Sequence, residues 1–149
     1  MKTIICTMGR PRSGKSTWAA QMNKIYKWPV VCPDTVRLAL HGKAFDWRRE
    51  CQVWAIVKTM INYFFIQGFN IVIFDATNYR KKNRKAPKKW AKEIGAQIVF
   101  KVFDTPKDVC IQRALADGQK NLVPIIIKQD SLWEPLDESE QNFDNVNCH

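Results

Sequence analysis

The sequence predicts an open α/β fold, a parallel sheet of about four to five strands flanked by helices in a single domain. Three observations predict it. Strand-like apolar runs alternate with helix-period segments from residue 3 to residue 133, without a repeat or a low-complexity stretch. A glycine-containing loop of fixed pattern, Gly9-Arg10-Pro11-Arg12-Ser13-Gly14-Lys15-Ser16, joins the first strand to the first helix. A later strand ends on Asp75, at the kind of position where reactive side chains of open α/β sheets collect.

Each element follows from its residues. Thr3 to Met8 (TIICTM) reads as a buried strand and Ser16 to Lys27 as the helix after the loop. Trp28 to Cys32 is a short second strand, Asp34 to Leu40 a helix with an acid near its start, and Gly42 to Asp46 a loop. Between Trp47 and Gln67 the residues Val53, Trp54, Ile56, Val57, Met60, Ile61, Phe64 and Phe65 recur at helical spacing, and Gly68 supplies the stop. Phe69 to Phe74 is a strand. Residues 80 to 94 form a helix that Pro87 either kinks or delays, and Gly95 ends it. Gln97 to Phe103 is the last strand, followed by helices at Pro106 to Ala116 and Pro124 to Trp133. Residues 1–133 are therefore expected to form the domain. Few core-forming residues follow Glu134, so 134–149 read as an acidic tail, peripheral or disordered.

Composition excludes several classes. With 149 residues, 46% of them hydrophobic, the chain can bury a core without staples. It has no apolar run approaching the roughly 20 residues of a membrane span and no signal peptide, so no membrane partner and a cytoplasmic location are expected. The five cysteines (Cys6, Cys32, Cys51, Cys110, Cys148) form no C-x-x-C pair and read as reduced thiols rather than a zinc site or disulfide framework. Charge is uneven. All 24 Lys and Arg precede residue 134, where only nine acids accompany them, so residues 1–133 carry a net +15. A body this basic attracts polyanions, nucleic acid first.

The loop fits the phosphate-binding pattern G-x-x-x-x-G-K-[ST] at every fixed position, with the strand before it and the helix after it that the pattern requires. Residues Gly9 to Thr17 are thus the expected ATP-binding set. Their backbone N–H groups would cradle the phosphates, Lys15 would reach the β- and γ-phosphates, and the Ser16 hydroxyl would hold Mg²⁺.

The acceptor half rests on fewer residues. Asp34 and Arg37 lie three apart, on one face at the start of a helix. Phosphoryl transfer to an alcohol needs a carboxylate for the hydroxyl proton and a cation for a nearby phosphate, and this pair supplies one of each. Taken alone, the spacing also suits a capping aspartate and an exposed arginine. Asp75-Ala-Thr-Asn78 places a supporting acid beside the loop; an Asx turn with Asn78 as helix cap accounts for the same residues. Eight cations in the thirteen residues from Arg80 to Lys92, among them Lys81, Lys82, Arg84 and Lys85, would form a face that tracks a phosphate backbone. Trp90 among them is expected in the core. Arg113 lies where a lid cation can close over a triphosphate.

These motifs carry a resemblance. G-x-P-x-S-G-K-S-T-W-A (Gly9 to Ala19), D-x-x-R (Asp34, Arg37), D-x-T-N (Asp75 to Asn78), K-V-F-D-x-P (Lys101 to Pro106), Arg113 and Val123-Pro124 resemble the kinase domain of bacteriophage-type polynucleotide 5′-kinases, P-loop kinases with zeta-toxin-like relatives, over about residues 1–133. The resemblance implies Lys15 and Ser16 as ATP-phosphate and Mg²⁺ residues, Asp34 as general base, Arg37 as grip on the acceptor's phosphate, Asp75 as supporting acid and Arg113 as a lid arginine. It also implies a nucleic-acid acceptor, DNA or RNA, with the 5′-hydroxyl end leading. A hydroxymethylpyrimidine in DNA, or a nucleoside or other small alcohol, is the alternative within the class. A nucleic-acid-binding ATPase is the alternative outside it. Two positions depart from the pattern: Arg12 stands where that family usually has glycine, and Asp117 where a second lid arginine commonly follows the first; Arg12 or Lys120 would then replace its charge.

Overall fold

Alternating residues of each strand go to opposite faces of the sheet, and the two faces recruit different helices. In the computed structural model, which describes residues 1–42 and 45–146, β1 (Thr3–Gly9), β2 (Val30–Val31), β3 (Ile71–Phe74) and β4 (Gln97–Phe103) form one parallel sheet of order β2-β3-β1-β4. β1 is central, pairing Thr3 to Cys6 with Ile71 to Phe74 on one side and Thr3 to Gly9 with Gln97 to Phe103 on the other. The fold is the expected single α/β domain, with four strands.

On one face Ile4, Cys6, Val72, Phe74 and Phe100 meet α2 (Pro33–His41), α3 (Glu50–Ile66) and α4 (Lys81–Ile94). Val53, Val57, Ile61 and Phe65 form the buried stripe of α3 that the helical spacing predicts. On the other face Ile5, Ile73 and Val99 meet Ala19, Trp18 and Met22 of α1 (Lys15–Tyr26). A third cluster, Cys110, Ala114 and Ile126, joins α5 (Lys107–Ala116) to α6 (Leu122–Ser131). Each fully buried aliphatic, such as Ile5 or Ile73, adds about 1.5–3 kcal/mol.

Several expectations are corrected. The third strand starts at Ile71 rather than Phe69, and α3 at Glu50 rather than Trp47. Pro87 sits inside α4 without delaying its start. Residues 43 and 44 of the expected loop, and Cys148, lie outside the described residues; Cys6, Cys32, Cys51 and Cys110 are free thiols. The acidic segment after Glu134 is not peripheral. It runs along the outer edge of β4, where Phe100 N–H donates to Gln141 O at 2.8 Å and Phe100 bridges Asn142. Leu136 joins the α4 face of the core, and Phe143 and Val146 join the α1 face. An otherwise open sheet edge is thereby covered. Among the described residues no helix is long and apolar enough to cross a membrane.

Candidate active site

The carboxyl ends of β1, β2 and β3 converge on the loop between β1 and α1. Gly9 opens that loop because nothing larger fits: a Cβ there would lie 2.5 Å from Ser13 Oγ and 3.0 Å from Phe103 Cβ. Gly14, at φ 102°, adopts a left-handed conformation and leads into α1 with no side-chain cap, so the first N–H groups of the helix stay available. Arg12 takes φ 67°. The loop keeps its positive φ with a side chain present, at a strain of about 1–2 kcal/mol. Two contacts offset it: Arg113 Nη1 donates to Arg12 O at 3.1 Å, and the Arg12 guanidinium pairs with Asp117. The acid found at the second lid position therefore holds a loop arginine.

Arg12, Ser13, Gly14, Lys15, Ser16, Trp18 and Arg113 line a hollow of about 470 Å³, a size that suits a nucleotide. Ser13 Oγ and Arg12 Nε are buried with no hydrogen-bond partner among the described residues, as groups built to meet phosphate oxygens would be. Lys15 Nζ donates to Gly9 O at 2.9 Å and Arg10 O at 2.7 Å. Burial pushes its pKa down to about 8; Asp75, and more weakly Asp34, pull it back up. Both acids thus act on the charge of the loop lysine.

Asp75 is buried just past β3. Its Oδ2 accepts from Ser16 Oγ and its Oδ1 from the Thr7 hydroxyl, both at 2.9 Å. Thr7, on β1 two residues before the loop, was not singled out by the sequence. Asn78 does not cap α4, whose N-cap is Arg80; its Nδ2 donates to Thr7 O at 2.8 Å and ties the turn after β3 back to β1. Ser16 and Asp75 offer hard oxygens side by side. Among the described residues no group of three or more His, Cys, Asp or Glu is arranged to hold a metal ion. That donor set fits Mg²⁺, which prefers one or two protein oxygens, phosphates and water to an all-protein cage.

On the acceptor side, Asp34 lies in the first turn of α2 with its side chain 72% exposed. Arg37 Nη1 donates to Asp34 Oδ1 at 2.6 Å. The partner that sequence reasoning missed is Glu50, the first residue of α3, whose two oxygens take Arg37 Nε at 2.8 Å and Nη2 at 2.9 Å. Glu50, followed by Asp34, holds Arg37 still further into its protonated range. Among the described residues three of the five guanidinium N–H donors are committed and two remain. Arg37 is thus held in one orientation by two carboxylates.

The basic face differs from the expectation. Arg84 is fully buried: Nε and Nη2 bind both oxygens of buried Glu140 at 2.8 and 3.1 Å, and Nη1 donates to Asn78 O at 3.0 Å and Glu134 O at 3.1 Å. It is a structural clamp, corrected from a phosphate contact, because its position in α4 points into the seam with the acidic segment. Arg80 lies 3.7 Å from Glu134 and Lys81 3.9 Å from Asp137. Lys82 and Lys85 are exposed. Trp90 is in the core, edge-on to Phe74.

Fold and site together define a class: a P-loop protein whose phosphate loop joins the central strand of a parallel sheet to the first helix. A family model described as an AAA domain matches residues 4–124, and the chain belongs to that family. A chain of the Pnkp1/Rnl/Hen1 complex superposes with a TM-score of 0.68 at 28% identity, covering 75% of this chain and 38% of its own. A chain of the Pnkp1/Rnl/Hen1 RNA repair complex gives 0.68 at 20% identity, over 99% of this chain and 52% of its own. This protein therefore spans about half or less of those two chains. The APS kinase CysC of Mycobacterium tuberculosis, in complex with AMPPNP and APS, gives 0.60 at 18% identity over 76% of this chain and 68% of its own.

Proposed function

We propose that the protein transfers the γ-phosphoryl group of ATP to a hydroxyl of nucleic acid, the 5′-hydroxyl end of DNA or RNA first among them. The observation that carries this reading is the Asp34–Arg37–Glu50 triad, whose Asp34 acts on the charge of Lys15 in a complete phosphate loop. A motor or switch protein has no need of an exposed carboxylate tethered to a pre-oriented guanidinium.

The steps follow from these residues. Backbone N–H groups of the loop and Lys15 hold the β- and γ-phosphates. Lys15 leaves the carbonyls of Gly9 and Arg10 to do so. Mg²⁺, when bound, neutralises charge on the phosphates, and the Ser16 hydroxyl, positioned by Asp75, would hold it. Asp34 accepts the acceptor's hydroxyl proton as that oxygen bonds to the γ-phosphorus and the bond to the β–γ bridging oxygen breaks, releasing ADP. Arg37 uses its two remaining N–H donors on the acceptor's own phosphate. Arg12 and Arg113 supply cations over the triphosphate.

The net +15 on residues 1–133 and the likeness to the Pnkp1 complexes support a nucleic-acid acceptor. The likeness to an APS kinase keeps small alcohols in the test. The experiment is γ-labelled ATP and Mg²⁺ with 5′-hydroxyl DNA and RNA, their 5′-phosphorylated forms, hydroxymethylpyrimidine DNA, free nucleosides and adenylyl sulfate. Label on 5′-hydroxyl ends alone is the expected result. Label on internal modified bases or on the small alcohols, with none on ends, sinks it.

A further inference from the structure

The turn between α2 and α3 presents two aromatic rings that the core does not use. Phe45 is 63% and Trp47 76% exposed, and Trp47 is the exposed one of six tryptophans. The turn is built to hold them out. Arg49 N–H donates to Asp46 O at 2.9 Å, and Arg48 N–H to Asp46 Oδ1 at 3.1 Å.

Their surroundings indicate what covers them. The Arg37 guanidinium carbon lies 5.9 Å from the centre of the Phe45 ring and 6.0 Å from that of Trp54, so the cation of the acceptor site is flanked by rings. Arg48, beside Trp47, pairs with Asp46 at 3.4 Å through Nε and keeps its side chain 68% exposed. Rings interleaved with guanidiniums, on a body this basic, match a ligand that offers flat π-faces and anions in alternation. A single nucleic-acid strand is such a ligand. A duplex is not, since its bases are already stacked.

We infer that Phe45 and Trp47 form a stacking subsite for the unpaired bases of single-stranded nucleic acid, placed so that a base on Phe45 brings its phosphate to Arg37. The inference rests on the nucleic-acid reading of the acceptor, and it adds the two rings that would receive the bases next to the reacting end.

The test reads binding without chemistry. The full chain is titrated with a 5′-phosphorylated oligothymidylate of about eight nucleotides, followed by tryptophan emission and, for the variants, by anisotropy of a labelled strand. The parent is expected to show quenching that Trp47→Phe loses. Trp47→Ala and Phe45→Ala are each expected to raise Kd about tenfold, the size of one base stack, with an unaltered salt slope because stacking releases no counterions, while Trp47→Phe keeps most of the affinity. Shared unfolding midpoints show that the variants fold. Parent-like affinity in Trp47→Ala overturns the subsite, as does weakening accompanied by a flatter salt slope, or a dimer of the parent that Trp47→Ala disperses. If the strand binds with the expected signatures but no nucleic acid accepts phosphoryl groups, the acceptor reading falls and the subsite stands. If 5′-hydroxyl DNA is phosphorylated at the same KM by parent and Trp47→Ala, the subsite falls and the acceptor reading stands.

Discussion

Lys15 and Arg37 are the cations of the two proposed halves of the site, and they are held in opposite ways. Lys15 rests on two backbone carbonyls of its own loop, six and five residues away in sequence, in a segment whose shape is set by Gly9, Gly14 and the strand behind it. Arg37 rests on two carboxylates, one of them Glu50 on another helix, across a turn whose central residues lie outside the described part of the chain. The donor half is backbone architecture. The proposed acceptor half is a side-chain agreement between α2 and α3, which would leave it freer to change substrate while the donor half stays fixed.

Breaking the support of the donor half gives the largest expected effect. Arg84 anchors Asn78, and through it the turn after β3, to the acidic segment. Arg84→Met leaves buried Glu140 with only Lys88 and the Asp137 N–H as partners among the described residues and is expected to lower unfolding free energy by about 3–5 kcal/mol, whereas Arg84→Met with Glu140→Leu recovers most of it. Burial raises the pKa of Glu140, but the hydrogen bonds from Arg84 and Lys88 outweigh it, so the pKa stands below its ordinary 4.5. A carboxylate lowered in the fold stabilises above its unfolded pKa and stops doing so as pH falls through the folded one. Acid should therefore unfold the parent in a step the double variant lacks. Equal chemical denaturation curves for parent and Arg84→Met would refute the clamp.

Next comes the loop itself. Lys15→Ala is expected to cut phosphoryl transfer by at least about 10²–10³-fold, since one charged donor to the transferred group is lost, with an unfolding midpoint close to the parent's. The ammonium contributes little to the fold because its burial is opposed. Transfer within a few-fold of the parent ends the assignment of the loop.

Glu50→Ala tests the other half and should cost less. Without its bidentate partner, Arg37 is expected to collapse onto Asp34, which removes about 1.5–3 kcal/mol of charge-assisted orientation and raises the acceptor KM by roughly ten- to a hundredfold. Nucleotide affinity should hold. A loss of nucleotide affinity matching the loss for the acceptor would mean that the two halves are one unit.

The same contrast explains what was legible in the sequence. The loop motif is local, so eight consecutive residues specify strand end, turn and helix start together. The buried stripe of α3 and the strand of β4 are likewise written in their own periodicity. Glu50 as a partner of Arg37 is not, because thirteen residues and a turn separate them and a lone Glu at a helix start reads as ordinary capping charge. Arg84 misled for a related reason: it sits within a run of cations, and only the buried Glu140, 56 residues on, distinguishes it from its neighbours. The acidic segment reads as expendable since its anchors are one buried ion pair, an edge bridge and three scattered apolar side chains rather than an apolar run.

The smallest effect is also the sharpest probe of the donor half, because it reads the environment of Lys15 without a mutation. With a pKa of about 8 in the free protein against an ordinary 10.5, Lys15 is charged at pH 7 and mostly neutral at pH 9. Triphosphate binding needs the ammonium, so nucleotide affinity is expected to hold up to about pH 8 and then fall by up to tenfold per pH unit, with proton uptake on binding that calorimetry in buffers of different ionisation enthalpy detects. Stability runs the other way. Between pH 8 and 10.5 the unfolded chain holds a proton on Lys15 that the folded chain has released, so this residue's contribution to unfolding free energy rises with pH across that window. Cys110, the thiol that acts most on Lys15, is itself held above its ordinary range by burial and does not supply the transition. Lys15→Met should flatten both slopes at once. Nucleotide affinity that stays level from pH 7 to pH 9.5 would show that Lys15 sits in solvent like any surface lysine, and that the loop is not closed around it.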